Sequence, residues 1–242
     1  MKAEPMPDQR PVSLITGAGS GIGRATAAML AKKGYRVALA GRRADALQET
    51  GSELGVESRD WVSLPTDVSV PDEAIALPEQ AVAALGRLDA VVNNAGWSPM
   101  KPIENHTPDD VAAIFGVNAI GPTLISIAAL RIMKPLGIGC IVNVSSMASD
   151  DPFPGLSVYG AAKASLNTLV NGISNEAAAD GIRAFSIAPG AVETDLLRSI
   201  ISTETLPESA CLSPGDVARV IAACIMGERD SDAGKTIWLP SP

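Results

Sequence analysis

The chain predicts an α/β fold: a doubly wound, mostly parallel, seven-stranded sheet in three α/β/α layers. Three observations lead there. Apolar runs alternate with helical patterns along the whole length. Several of those runs are continuously apolar, as strands buried on both faces must be. A glycine-rich turn sits between the first run and the first helical pattern. A length of 242 residues, 46% of them hydrophobic, allows one large domain with a sizeable core. Residues 11–242 read as that single domain, and residues 1–10 as a loosely held tail.

The elements follow in order. Strands are expected near 12–16, 36–40, 61–65, 88–93, 139–144, 183–188 and 235–240. Leu14-Ile15-Thr16-Gly17-Ala18-Gly19-Ser20-Gly21-Ile22-Gly23 joins the first strand to a helix that ends at Lys33-Gly34. The spacing is Gly-x-x-x-Gly-x-Gly, carried by Gly17, Gly21 and Gly23. At such a turn the backbone can approach a pyrophosphate, and the helix N-terminus offers it free N–H groups; the bland alternative is a tight turn with no ligand. Thr107-Pro108-Asp109-Asp110 and Ser213-Pro214-Gly215-Asp216 each place a capping hydroxyl, a first-turn proline and an acid at helix starts. Val111 to Leu130 carries no charge and is long enough to span a bilayer. It also holds Gly116, Asn118, Gly121 and Pro122 behind two aspartates, so it reads as a buried helix, packed on the sheet and on a second subunit.

Tyr159 and Lys163 stand four residues apart, on one face of a helix. A phenol with an ordinary pKa of about 10 is a poor acid at neutral pH. An ammonium beside it favours the phenolate and lowers that pKa. The tyrosine can then protonate a carbonyl oxygen or take a proton from an alcohol. Alone, the pair also describes an amphipathic helix with a snorkelling lysine.

Taken together, Thr16-Gly-x-x-x-Gly-x-Gly23, Asn93-Asn94-Ala95-Gly96, Asn118, Ser146, Tyr159-x-x-x-Lys163 and Pro189-Gly190 resemble the short-chain dehydrogenase/reductase family in order and spacing, from about residue 10 to about residue 235. Ser20 stands where the larger, epimerase-like members carry glycine, so the chain looks like the short, single-domain, Rossmann-like type. The resemblance implies a catalytic set of Asn118, Ser146, Tyr159 and Lys163. In it Tyr159 donates and accepts the proton. Lys163 tunes Tyr159 and holds the nicotinamide ribose. Ser146 holds the substrate oxygen, and Asn118 helps hold a water linking Lys163 to solvent. Ser146 could instead satisfy backbone at a strand end, and Asn118 could simply bend its helix. The same resemblance places Gly17, Ser20, Gly21, Ile22, Gly23, Arg42, Asp67, Val68, Asn94, Gly96, Tyr159, Lys163, Pro189, Gly190, Val192 and Thr194 around the cofactor. Asp67 would accept from the adenine amino group, or cap the next helix.

NAD-binding sheets of this kind carry an acid at the end of the second strand. Here Gly41 occupies that position and Arg42 follows, a planar fork suited to a 2′-phosphate. NADP is therefore expected, with NAD as the alternative if Arg42 and Arg43 are only solvated charges. The substrate pocket is expected to draw on Trp97 and Pro99, Met147 through Phe153, and a segment near 195–212 holding Leu196, Leu197, Ile200, Ile201 and Leu206. The reading is an NADP-dependent oxidoreductase for a carbonyl/secondary alcohol pair. Its rivals are a 3-oxoacyl-thioester reductase, for which Arg131, Lys134 and Arg198 are the only basic hints, and a non-catalytic NADP(H) sensor.

A net charge of −8 and a pI near 4.7 argue against nucleic-acid and membrane partners. Cys140, Cys211 and Cys224 lack metal-ligand spacing and fit packing roles in a reducing cytoplasm. His106, the one histidine, reads as a solvated loop residue, and no metal site is expected. Residues 1–11 lack the apolar core of a signal peptide. The ending Trp238-Leu239-Pro240-Ser241-Pro242 departs from the family's usual Val-Asp-Gly-Gly-like stretch, often at a subunit interface, so a homodimer is favoured over a homotetramer.

Overall fold

A computed structural model describes residues 9–242. Its seven strands are β1 (Val12–Thr16), β2 (Arg36–Gly41), β3 (Trp61–Pro65), β4 (Ala90–Asn93), β5 (Gly139–Val144), β6 (Ile182–Pro189) and β7 (Thr236–Leu239). They form one sheet in the order β3-β2-β1-β4-β5-β6-β7. Every pairing is parallel. The principal helices are α1 (Gly21–Lys32), α2 (Ala44–Glu53), α3 (Pro71–Leu85), α4 (Pro108–Phe115), α5 (Gly121–Met133), α6 (Ser157–Ala177), α7 (Asp195–Arg198) and α8 (Pro214–Ile225).

Successive strand residues point to opposite faces, and this sorts the core into two layers. Ile15, Val37, Leu39, Val142, Phe185 and Ile187 pack under α1, α2 and α8. Val12, Leu14, Ala38, Ala40, Ile141 and Ala184 pack under α3, α5 and α6. Since both faces are covered, the central strands are apolar throughout. That is why they were readable as continuous runs. Cys140 and Cys224 belong to the first layer, and burial pushes both thiols up to about 12.

The chain winds outward from β1 to β3, then crosses to β4 on the other side of β1. At such a reversal a crevice opens beyond the carboxyl ends of the strands. The turn after β1 and the loop after β4 face each other across it.

Thr107 and Ser213 cap α4 and α8 through reciprocal bonds with Asp110 and Asp216. The apolar stretch at 111–130 is one helical run from Pro108 to Leu136, interrupted by a π-bulge at Gly116–Ile120. By length and composition it could cross a membrane, but half of its most apolar window is buried inside the protein. Ile114, Ile125, Ala129 and Met133 are fully buried, while Val111, Ile120 and Ile127 face outward.

Of the tail expected at 1–10, residues 1–8 lie outside the described residues. Arg10 is held by Asp60 at 3.0 Å, and Arg87 donates to the Gln9 carbonyl at 2.9 Å. One expectation needs correction. His106 is half-buried rather than solvated, and neither ring nitrogen has a hydrogen-bond partner among the described residues. Nothing in its surroundings explains this.

Candidate functional site

The glycine turn is shaped by two requirements. Gly17 and Gly21 adopt φ of +66° and +51°, a region that side chains avoid. Gly23 permits a close approach: a Cβ there would lie 2.3 Å from the Gly17 carbonyl oxygen and 2.7 Å from the Asn94 amide nitrogen. Asn94 reaches across from the end of β4 and donates to the Thr16 carbonyl at 2.8 Å. The Thr16 hydroxyl accepts from the Asn94 and Ala95 backbone at 3.0 Å each. These bonds lock the two sides of the crevice together. Ser20 caps α1 in extended conformation, its hydroxyl unused for capping, and no acid stands in the first turn of α1. The positive end of this helix is therefore left for an anion.

Ser146 follows β5, and Tyr159 and Lys163 lie in the first two turns of α6. The Ser146 side chain stands near enough to the Tyr159 hydroxyl to favour its charged form. The Lys163 ammonium lies 5.7 Å from the centre of the Tyr159 ring. Lys163 is 2% exposed, donates to the Val144 carbonyl at 2.8 Å, and its own carbonyl accepts from Ser145 at 3.1 Å. Asn118 sits in the π-bulge, the kind of helix irregularity that recurs at functional sites. Its amide nitrogen donates to Ile114 O at 2.8 Å and Trp97 O at 2.6 Å. A Cβ on Gly96 would meet the Asn118 oxygen at 3.1 Å and the Lys163 ammonium at 3.5 Å, so Gly96 lets all three approach. Asn118 thus both shapes its helix and stands beside Lys163.

The electrostatics differ from the sequence expectation. Burial pushes the Tyr159 hydroxyl up to about 12, with the nearby Ser146 side chain opposing it, and burial pushes Lys163 down to about 7. The expected lowering of Tyr159 by a nearby charge is absent from this geometry. A lysine withdrawn from water sheds its proton more readily than an exposed one. Tyr159 keeps some solvent access and Lys163 does not.

One cavity of about 820 Å³ joins these parts. Its walls include Gly17, Ser20, Gly21, Ile22, Asn94, Gly96, Ser146, Tyr159, Lys163, Pro189, Gly190, Val192 and Thr194. Thr194 approaches the glycine turn, 3.0 Å from the place of a Cβ on Gly21. Five expected residues lie off these walls. Gly23 and Val68 are buried behind them, Asn118 is fully buried, Arg42 is exposed beyond β2, and Asp67 lies just past β3. Asp67 is committed in part to its own turn, accepting from the Ser69 backbone and hydroxyl at 3.0 and 2.7 Å. Burial raises its pKa, but the Ser69 bonds and the Arg42 charge bring it net below the ordinary value.

The substrate side also differs in detail. Ser98 and Met100 line the cavity where Trp97 and Pro99 were expected. The wall takes alternate residues, the period of extended chain. Leu156 and Pro240-Ser241-Pro242 line it too, unforeseen. The chain's end reaches the site because Gly190 N–H donates to Leu239 O at 2.8 Å at the edge of the sheet. Arg24 was likewise overlooked: it donates to Gly19 O at 2.9 Å and to Glu49 at 3.1 Å, bracing the glycine turn against α2. An arginine directly after Gly23 was the available signal. Among the described residues, no cluster of His, Cys, Asp or Glu is placed to hold a metal ion.

This fold and this cluster define an oxidoreductase of the doubly wound α/β class. Comparison with known proteins narrows the class. The short chain dehydrogenase family profile matches residues 11–205. An uncharacterised oxidoreductase of Staphylococcus saprophyticus is 34% identical over 95% of this chain and 96% of its own. Another, from Staphylococcus aureus strain MRSA252, is 33% identical over 87% of this chain and 88% of its own. Among solved structures, a 3-ketoacyl-(acyl-carrier-protein) reductase from Brucella melitensis, complexed with NADH, superposes with a TM-score of 0.88 at 28% identity, over 95% of this chain and 96% of that one. ElxO with NADP bound gives 0.87 at 25% identity, over 96% and 98%. The chain belongs to the short chain dehydrogenase family.

Proposed function

We propose that this protein is an NADP-dependent oxidoreductase that interconverts a carbonyl compound and a secondary alcohol, with Tyr159 as the general acid and base. The observation that carries the reading is the Ser146–Tyr159–Lys163 cluster on the wall of a cavity that the glycine turn also opens. The residues fit a nicotinamide dinucleotide. Gly17 and Gly96 line the cavity without side chains, Gly23 lets the turn pack tightly behind them, and the α1 N-terminus is free of acids. The relatives solved with NADH and with NADP support the same kind of cofactor. Gly41 and the exposed Arg42 support NADP over NAD, because an arginine fork suits a 2′-phosphate and no carboxylate opposes it.

Bound there, the nicotinamide supplies or accepts the hydride. The protein handles the proton. In reduction, Ser146 and Tyr159 hold the carbonyl oxygen. As the carbonyl carbon gains hydride, that oxygen takes the Tyr159 proton, leaving a phenolate and an alcohol. With its pKa held up by burial, Tyr159 starts protonated across the neutral range, as a donor must. Lys163, 5.7 Å from the ring centre, is the cation available to the phenolate when it is protonated, although burial dominates the Tyr159 pKa in the resting site. Oxidation runs the same transfers backwards. Asn118 anchors the loop after β4 from behind through its bonds to Trp97.

The outward-facing apolar residues of α4 and α5, Val111 and Ile127 among them, support a homodimer built on this face, and the scattered reduced cysteines fit a cytoplasmic setting. The direct test follows NADPH oxidation over a panel of ketones and aldehydes, with nucleotide binding measured in parallel. Tight NADPH binding without turnover of any carbonyl compound would instead favour a nucleotide sensor.

A further inference from the structure

The walls of the cavity also bear on the substrate, provided that carbonyl chemistry at Tyr159 is accepted. Besides Tyr159, two apolar groups line the cavity. Met100, Phe153 and Leu156 form one, and Leu197, Ile201 and Leu206, from the segment after β6, form the other. Phe153 is 70% exposed and Met100 45% exposed, so the apolar surface continues out to the rim. The loops carrying them are joined where Lys101 N–H donates to Gly155 O at 3.0 Å, making the rim a single surface.

Charge is absent from these faces. Among the described residues, Lys163 is the one cation on the cavity wall, and it is buried and bonded to Val144 O. Asp151, exposed at the mouth, is the one acid. Cations nearby are already used. Arg198 donates to Glu193 at 2.8 Å and to Leu206 O at 2.8 Å. Lys101 is paired with Asp110. The basic residues that would suit an acyl carrier lie elsewhere. Arg131 lies in the last turn of α5, and Lys134, just after α5, pairs with Asp180 at 2.8 Å beside the starts of β5 and β6. That is the opposite end of the sheet from the cleft. Arg42 and Arg43 follow β2, on the nucleotide side.

An anion brought into such a cavity would lose its water and gain no partner, which is costly. We propose that the site takes a bulky, uncharged, apolar ketone or the matching secondary alcohol, and discriminates against carbonyl compounds that carry a carboxylate or phosphate, carrier-bound thioesters included. Specificity comes from the two apolar faces, and Asp151 adds repulsion at the mouth.

The experiment separates this class from the reaction itself by reading binding as well as turnover. NADPH-loaded Tyr159→Phe protein is titrated by calorimetry with 4-phenylbutan-2-one, with its para-carboxylate, and with acetoacetyl-coenzyme A. The uncharged ketone should bind about tenfold or more tightly than either anion, the scale of an unpaired buried polar group. Ile201→Lys, which adds a cation to the wall, should narrow that ratio. Equal or tighter binding of the carboxylate or the thioester overturns the proposal, and so does failure of the ketone to bind while NADPH remains bound. Ligands that bind in the expected order to a wild-type protein that reduces none of them would uphold the class and remove the reaction.

Discussion

The two sides of the cleft are built by different means. On the nucleotide side, backbone does the shaping: glycines at 17, 21 and 23, the Thr16–Asn94 bonds, and a helix N-terminus. A side chain at Gly17 or Gly23 would collide with neighbouring backbone, and one at Gly21 would meet Thr194. On the substrate side, side chains do the shaping. The segment from Glu193 to Cys211 is closed at its base by the Val192–Leu212 bridge and stapled by Arg198, and its leucines and isoleucines supply the wall. A backbone-built wall tolerates little change and suits one unvarying ligand. A side-chain wall can be resized residue by residue without disturbing the sheet. The chemistry stands between them, on β5 and α6.

If that division holds, substitutions should separate cleanly into effects on nucleotide, chemistry and substrate. The largest effect is expected at the centre. Tyr159→Phe removes only a hydroxyl, and turnover should fall on the order of 10²–10⁴-fold, the span of a general acid–base group. NADPH affinity, measured by fluorescence titration, should hardly move. Near wild-type turnover would exclude Tyr159 as the acid.

Lys163→Met should cost less turnover than the loss of the acid itself, and it should alter the pH dependence of stability. Folding lowers the Lys163 pKa from its ordinary value to about 7. Between about pH 7 and the unfolded value, the unfolded chain binds the extra proton, so this lysine makes stability rise with pH. Below pH 7 both states are protonated and its contribution to the slope vanishes. Denaturant melts from pH 6 to 10 should show a flatter profile in the variant. An unchanged slope would mean that Lys163 keeps its charge in the folded protein.

Arg42→Ala probes the nucleotide side alone. A hydrogen bond to a charged group contributes roughly 1.5–3 kcal/mol, or about 10- to 150-fold in affinity. NADPH should weaken by that factor and NADH should not, and adding Gly41→Asp should reverse the preference. Equal weakening of both nucleotides would show that Arg42 merely supports its loop.

The smallest effect is expected at the staple. Arg198 and Glu193 are both partly exposed, and such pairs contribute about 0.2–1 kcal/mol. Arg198→Ala should raise KM for an apolar ketone a few-fold while kcat and NADPH affinity stay put. A change in NADPH affinity of similar size would show that the two sides of the cleft are mechanically coupled through Thr194.

Much of this was legible in the chain. The seven strands, the helix starts at Thr107 and Ser213, and the glycine turn are local features, set by hydrophobic period, capping chemistry and backbone freedom. Each needs only a few neighbouring residues. The Tyr159–Lys163 spacing likewise declares a shared helical face. Tertiary structure decided the rest. Whether Lys163 carries its charge depends on enclosure by residues far away in sequence, and burial outweighs the local pairing that sequence reveals. Which side chains wall the substrate cavity depends on where the Met100, Phe153 and Leu206 loops and the end of β7 meet, and on Arg198 being spent on Glu193. Local order is written in short periods of sequence. Burial and charge compensation are sums over distant neighbours, and only the folded chain performs that sum.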